Sequence, residues 1–158
     1  MLRISKLTDY ATVLMATLAR QPNDCVPARQ LAEQTHLELP TVSKVLKSLG
    51  RAGLVKSIRG VKGGYCLAIE AEKVSVAEVV RAMEGPIALT ECALQPGLCS
   101  HEPNCQLRGN WQRIGVAVEA ALEALSVADL TRPVSPRIAI QTRSAESVGA
   151  ATVERTAN

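Results

Sequence analysis

Cys92, Cys99 and Cys105 stand in one short segment that Pro96, Gly97 and Pro103 bend, so three sulfurs can converge on one point. Thiolates bind zinc and iron–sulfur clusters strongly, and both ordinarily take four protein ligands. His101 and Glu102 lie inside the segment as local fourth donors, and a residue from elsewhere in the fold is a further choice. Three thiolates with a weaker fourth donor suit a centre that must be lost or altered to signal. Structural zinc held by three Cys and one His satisfies the same spacing. A disulfide between two of the three is less suited to a reducing compartment. The chain has five cysteines, an odd number, so a complete set of intrachain disulfides is impossible. Cys25 and Cys66 stand apart from the segment and read as small buried hydrophobes.

A second chemistry lies in the first half of the chain. Net charge is only +3, but residues 1–65 hold ten Lys and Arg against four Asp and Glu. That is +6, and the remainder, eight against eleven, is −3. A basic head of this kind suits a polyanion. Between Pro40 and Tyr65 there are six basic residues and no acidic one.

Positioning these groups falls to a set of helices and one hairpin. Hydrophobic residues make up 47% of the 158, while aromatics are 2% and Phe is absent. A core of Leu, Val, Ile and Ala favours packed helices over a sandwich of strands. Leu7, Tyr10, Val13, Leu14 and Leu18 recur at helical spacing, predicting a first helix that ends near Arg20. A second runs from Pro27 or Ala28 to Thr35, and a third from Pro40 to about Ala52 with Gly53 as its stop. Two short helices joined by about four residues, the second basic, form a helix-turn-helix pattern. In the third helix Val42, Val45, Leu46 and Leu49 share one face, and Lys44, Lys47 and Arg51 share another. Thr41 and Ser43 lie near its start, where contacts to base edges arise.

Val55–Arg59, the glycine-rich turn from Gly60 to Gly64, and Tyr65–Ile69 predict a hairpin. Arg59 and Lys62 would sit at its tip, over phosphates or a minor groove. The turn follows no nucleotide-binding pattern and opens no helix. Ser75 is a candidate N-cap for a helix to Met83, with Val76, Val79 and Val80 inward. A long helix from about Gln106 to Leu125 carries Leu107, Trp111, Ile114, Val118, Ala121 and Leu125, spaced 4-3-4-3-4 as a heptad seam. Such a seam pairs with its twin in a second copy, or lies on its own domain. The fold class is therefore mainly α, a winged helix-turn-helix with a two-stranded wing and a long C-terminal dimerisation helix. The units are a DNA-binding head over 1–83, a cysteine-bearing loop over 84–105, the dimerisation helix over 106–130 and a mobile tail over 131–158.

These residues resemble the Rrf-two family of winged-helix regulators. The resemblance rests on the opening from Leu2 to Ala11, the stretch from Arg51 to Val55, the wing from Arg59 to Tyr65 and the cysteine loop, and covers roughly Met1 to Leu130. It is nearest the branch that regulates the SUF iron–sulfur assembly operon, with nitric-oxide-sensing repressors of the same fold as the alternative. The resemblance implies a homodimer on a double-stranded DNA operator, with an iron–sulfur cluster on Cys92, Cys99 and Cys105. The two-iron form is preferred to the four-iron form. It further implies that Arg59 enters DNA and that Ser43 occupies a site-discriminating position where relatives carry Glu. Two departures bear on the cluster. Arg108 stands where iron–sulfur regulators of the family carry a His ligand, and the gap from Cys92 to Cys99 is one residue longer. Asp9 of the partner subunit matches an Asp that serves as fourth ligand in the nitric-oxide branch. A charge at a helix N-terminus is the plainer account of Asp9.

Several classes are excluded. Arg3 and Lys6 precede an apolar stretch from Tyr10 to Ala19, but it is short and Asp9 stands at its entrance, so export is not expected. No run reaches the ~18–20 apolar residues that span a bilayer. A cytoplasmic protein is expected. Enzymatic use of the cysteines is not, since Cys-x-x-Cys is absent and His36 and His101 are the only histidines.

Overall fold

The computed structural model describes residues 4–22, 24–60, 63–95 and 97–133. Lys62 and residues 134–158 of the predicted tail lie outside the described residues, as do Met1, Leu2 and Arg3.

Helix α1 spans Lys6–Ala19, with Ser5 as N-cap accepting from the Thr8 backbone N–H at 3.3 Å. Its buried face is Thr8, Ala11, Leu14, Met15 and Leu18. Val13 was expected on that face but is 40% exposed, because Ala11 and Met15 complete the stripe instead. Helix α2, Ala28–Thr35, ends at His36 with φ 54°, a left-handed conformation uncommon for a side-chain-bearing residue. That turn redirects the chain, and α3 follows over Leu39–Arg51. Val42, Val45, Leu46 and Leu49 of α3 are all fully buried. They pack with Leu14, Met15, Leu18 and Leu31.

Gly53 closes α3 as expected, at φ 75°. The Gly53 N–H donates to the Gly50 carbonyl at 3.1 Å and that of Leu54 to the Leu49 carbonyl at 3.0 Å. This double bond pattern satisfies carbonyls left open at a helix end. Strands β1, Val55–Ile58, and β2, Gly64–Leu67, pair antiparallel with Ser57 opposite Tyr65 and Lys56 opposite Cys66. Each strand is shorter than predicted. A third segment joins them: Val26 and Tyr65 exchange two backbone hydrogen bonds of 2.8 Å each. Gly64 permits this approach, since a Cβ there would lie 2.5 Å from the Val26 carbonyl carbon.

Helix α4, Val76–Glu84, opens on a reciprocal cap in which Ser75 and Glu78 satisfy each other's backbone N–H groups. Val76, Val79 and Val80 are buried, as predicted. A single turn α5, Glu91–Leu94, interrupts what was expected to be loop. Helix α6 covers Arg108–Glu123, two residues shorter at each end than expected. The chain then returns to the head. The Val127 N–H donates to the Val74 carbonyl at 2.8 Å, and Val127 is fully buried. Leu125 is therefore not the end of a helix but the start of this return.

Helix-turn-helix and hairpin together make a winged helix. One carboxylate ties its far side: Glu84 Oε1, at the end of α4, accepts from the Ser5 N–H at 2.9 Å and from the Thr8 hydroxyl at 2.5 Å. These donors, the Thr8 hydroxyl foremost, hold the Glu84 carboxyl below the ordinary carboxylate range. Its stabilising contribution is thus present above the unfolded carboxyl's range and is lost as pH falls through the lowered value. Thr8→Val, which removes a fully buried hydroxyl, should cost about 1–2 kcal/mol in urea unfolding. The stability gap between wild type and Glu84→Gln should shrink below about pH 4. A gap that stays constant with pH would show that the Glu84 charge contributes nothing.

Candidate nucleic-acid interface and cysteine loop

Burial of the apolar stripe of α3 turns its opposite face to solvent. Ser43, Lys44, Lys47 and Arg51 are exposed, and Thr41 is half-buried. Between this face and β1 lies an open groove of about 650 Å³, lined by Ser43, Lys47, Arg51, Lys56, Ser57 and Tyr65 among others. Arg59 is exposed just beyond β1, and Gly60 follows it at φ 118°. Among the described residues none of these cations is held in an ion pair. Unneutralised positive charge along this acid-free groove suits the phosphates of a nucleic acid.

The structure therefore brings Ser43 and Lys47 together with Lys56, while Lys44 and Thr41 stand on the same helix outside the groove lining. Ser57 and Tyr65 are groove residues that the sequence pattern did not single out. Their signal was the hairpin register, which pairs them directly.

The cysteine loop is less assembled than its spacing suggested. Cys92 is buried in α5, with its sulfur 3.3 Å from the Thr90 hydroxyl. Cys99 and Cys105 are half-buried. Among the described residues, no group of three or more His, Cys, Asp or Glu side chains is placed to hold a metal ion. The donor set suits thiolate ligation of zinc or an iron–sulfur cluster in chemistry, but the sulfurs are not gathered.

Glu102, one candidate fourth donor, is committed elsewhere. One of its oxygens accepts from the Gly97 N–H at 2.7 Å, and the other pairs with Arg108 Nη1 at 2.7 Å. It organises the loop and fastens it to α6. His101 is exposed. Asp9 is exposed in the first turn of α1, beside Ile4, Ser5, Lys6 and Thr12.

From α6 a second ionic link runs to the head: Arg81 of α4 reaches Glu119 at 2.9 Å and also pairs with Glu123. The seam residues Leu107, Trp111, Ile114 and Leu125 are 41–57% exposed, whereas Val118 and Leu122 line an apolar cavity with Val80 and Ile4. Part of the seam thus lies on its own domain and part is uncovered. Among the described residues no helix is long and apolar enough to cross a membrane.

Known proteins share this arrangement. A family model, described as Rrf2, Iron-dependent Transcriptional regulator, matches residues 4–133. The chain is similar to the HTH-type transcriptional regulator NsrR of Shouchella clausii, with 32% identity over 131 residues, 82% of this chain and 88% of that protein. It is equally similar, at 32% over 130 residues, to the HTH-type transcriptional regulator CymR of Bacillus subtilis, covering 82% and 89%. The solved structure of CymR, the global cysteine regulator of B. subtilis, matches with a TM-score of 0.68 at 30% identity, over 83% of this chain and 97% of that one. IscR of T. potens matches with a TM-score of 0.64 at 27% identity, over 82% and 85%. A match that runs through the head, the cysteine loop and α6 alike leaves one conclusion: the chain belongs to the Rrf2 family of transcriptional regulators.

Proposed function

We propose that this regulator is a cytoplasmic homodimer that binds a double-stranded operator and represses an iron–sulfur cluster assembly (SUF) operon according to the state of an iron–sulfur cluster. The observation that carries the reading is the acid-free basic groove between α3 and β1. A helix ~10–12 Å across fits a major groove ~12 Å wide. Thr41 and Ser43, at the leading end of α3, face base edges, while Lys44, Lys47 and Lys56 meet phosphate. Arg59, and with it Lys62, serves the flanking minor groove. The head of 1–83 reads DNA, 84–105 senses, and the exposed seam within 106–130 pairs two copies.

Cys92, Cys99 and Cys105 supply the thiolates, and the iron-dependent description of the family supports iron as the metal. Because the sulfurs are not gathered in this structure, ligation requires the loop to rearrange. Glu102 has both oxygens engaged, which leaves His101 and Asp9 of the partner subunit as fourth donors, and the resemblance to the nitric-oxide branch favours Asp9. Held by these residues, a cluster would supply oxidation-sensitive chemistry at the loop. The links that would carry a loop change onward are Glu102 to Arg108 on α6, Glu119 and Glu123 of α6 to Arg81 on α4, Glu84 of α4 to Thr8 on α1, and the packing of α1 with α3.

Two measurements check this. On duplexes selected from a random pool, Lys47→Ala should weaken binding to every sequence and reduce the slope of log affinity against log salt by about one. Arg59→Ala should instead change the preference between sequences, and equal loss on all of them would refute its readout role. Protein purified without oxygen should be brown, with iron and sulfide near stoichiometric, and Cys99→Ala should be colourless. Colourless wild-type protein holding zinc would keep the DNA-binding role and end the iron–sulfur one.

A further inference from the structure

Two cysteines outside the loop meet in the reading head. Cys25 immediately precedes Val26, and Cys66 immediately follows Tyr65. Since Val26 and Tyr65 exchange both backbone hydrogen bonds in an isolated antiparallel bridge, Cys25 and Cys66 take the positions that adjoin it across the two segments, where a non-hydrogen-bonded pair falls. In such pairs the Cα atoms lie about 4.5 Å apart and the side chains emerge on the same face. That separation falls within the range a disulfide spans, about 4.4–6.8 Å. Gly64, whose missing Cβ lets Val26 approach, is what holds the two segments this close.

The environments of the two thiols differ. Cys25 is half-buried and within reach of solvent, while Cys66 is 8% exposed and its sulfur lies 3.9 Å from the Lys56 carbonyl oxygen. Burial pushes the Cys66 thiol up, and the neighbouring Cys25 thiol pushes it the same way.

We propose that Cys25 and Cys66 are a redox modification site that closes to a reversible disulfide on exposure to a peroxide. The Cys25 thiolate attacks one oxygen of hydrogen peroxide; an S–O bond forms, the O–O bond breaks, and hydroxide leaves and takes a proton to become water. Cys66 then gives up its proton and attacks the Cys25 sulfenic sulfur; the S–S bond forms, the S–O bond breaks, and a second water leaves. Two thiols lose two electrons in all and the peroxide gains them. A dithiol reverses the step by exchange. The bond would enclose α2 and α3 and clamp β2, whose Tyr65 lines the groove. It is chemically separate from the loop thiols, so it stands or falls independently of the cluster.

Trypsin divides the cysteines cleanly: Cys25 falls in 21–29, Cys66 in 63–73, and the three loop cysteines together in 82–108. The full chain would be treated with equimolar hydrogen peroxide, alkylated, digested without reduction and mapped by mass spectrometry. The expected product joins 21–29 to 63–73, with loss of two alkylatable thiols per chain and recovery of both by dithiothreitol. In Cys66→Ser, Cys25 should instead be trapped by dimedone as sulfenic acid. Cys25→Ser should leave Cys66 alkylatable only after unfolding. Absence of the joined peptide from oxidised wild-type protein, or joining of Cys25 to 82–108 or to a second Cys25, would overturn the proposal.

Discussion

Burial of one stripe on α3 fixes everything the head can do. Val42, Val45, Leu46 and Leu49 are each fully removed from water. At ~1.5–3 kcal/mol per side chain, the four together rival the ~5–15 kcal/mol net stability of a small domain. Rotating α3 to bury Lys47 would forfeit that burial and strand a charge, so the helix has one allowed orientation. In that orientation Ser43, Lys44, Lys47 and Arg51 face outward, and β1 follows three residues after the helix ends. The groove is thus a consequence of core packing.

The rest of the chain is fastened to that core by polar contacts at a few points. Glu84 holds the end of α4 to the start of α1, Arg81 holds α4 to α6, and Glu102 with Arg108 holds the cysteine loop to α6. Of these, the partly exposed ion pairs of Arg81 contribute little to stability. The three contacts also fix position: each joins one element to the next, so a displacement of the loop has a short route to α1. The uncovered Leu107, Trp111 and Ile114 at the loop end of α6 are the apolar surface that a second copy would cover.

Local signals made the helices legible. Ser75 with Glu78, Gly53 after α3 and the Val and Leu spacing of α3 and α4 each act within a few residues, so the sequence displays them directly. Contacts between distant segments were not legible. The Val26–Tyr65 pairing depends on Gly64 lacking a side chain, and the return of Val127 onto Val74 depends on a turn after α6 that no periodicity marks. Val13 was misplaced because Ala11 and Met15 are weaker hydrophobic markers than Val, although they pack inside. At the candidate site, the residue types of the basic groove could be read, but its Ser57 and Tyr65 walls needed the hairpin register. Glu102 was legible as a donor and not as one already committed to Gly97 and Arg108.

DNA is proposed to meet the face that α3 and β1 form. Lysine acetylation followed by mass spectrometry, on the protein alone and with saturating selected duplex, reports that face residue by residue. Lys44, Lys47 and Lys56 should be protected by the duplex, while Lys73, paired with Glu70 outside the groove, should react equally in both samples. Protection of Lys73 with unchanged reactivity at Lys47 and Lys56 would place the nucleic acid on another surface.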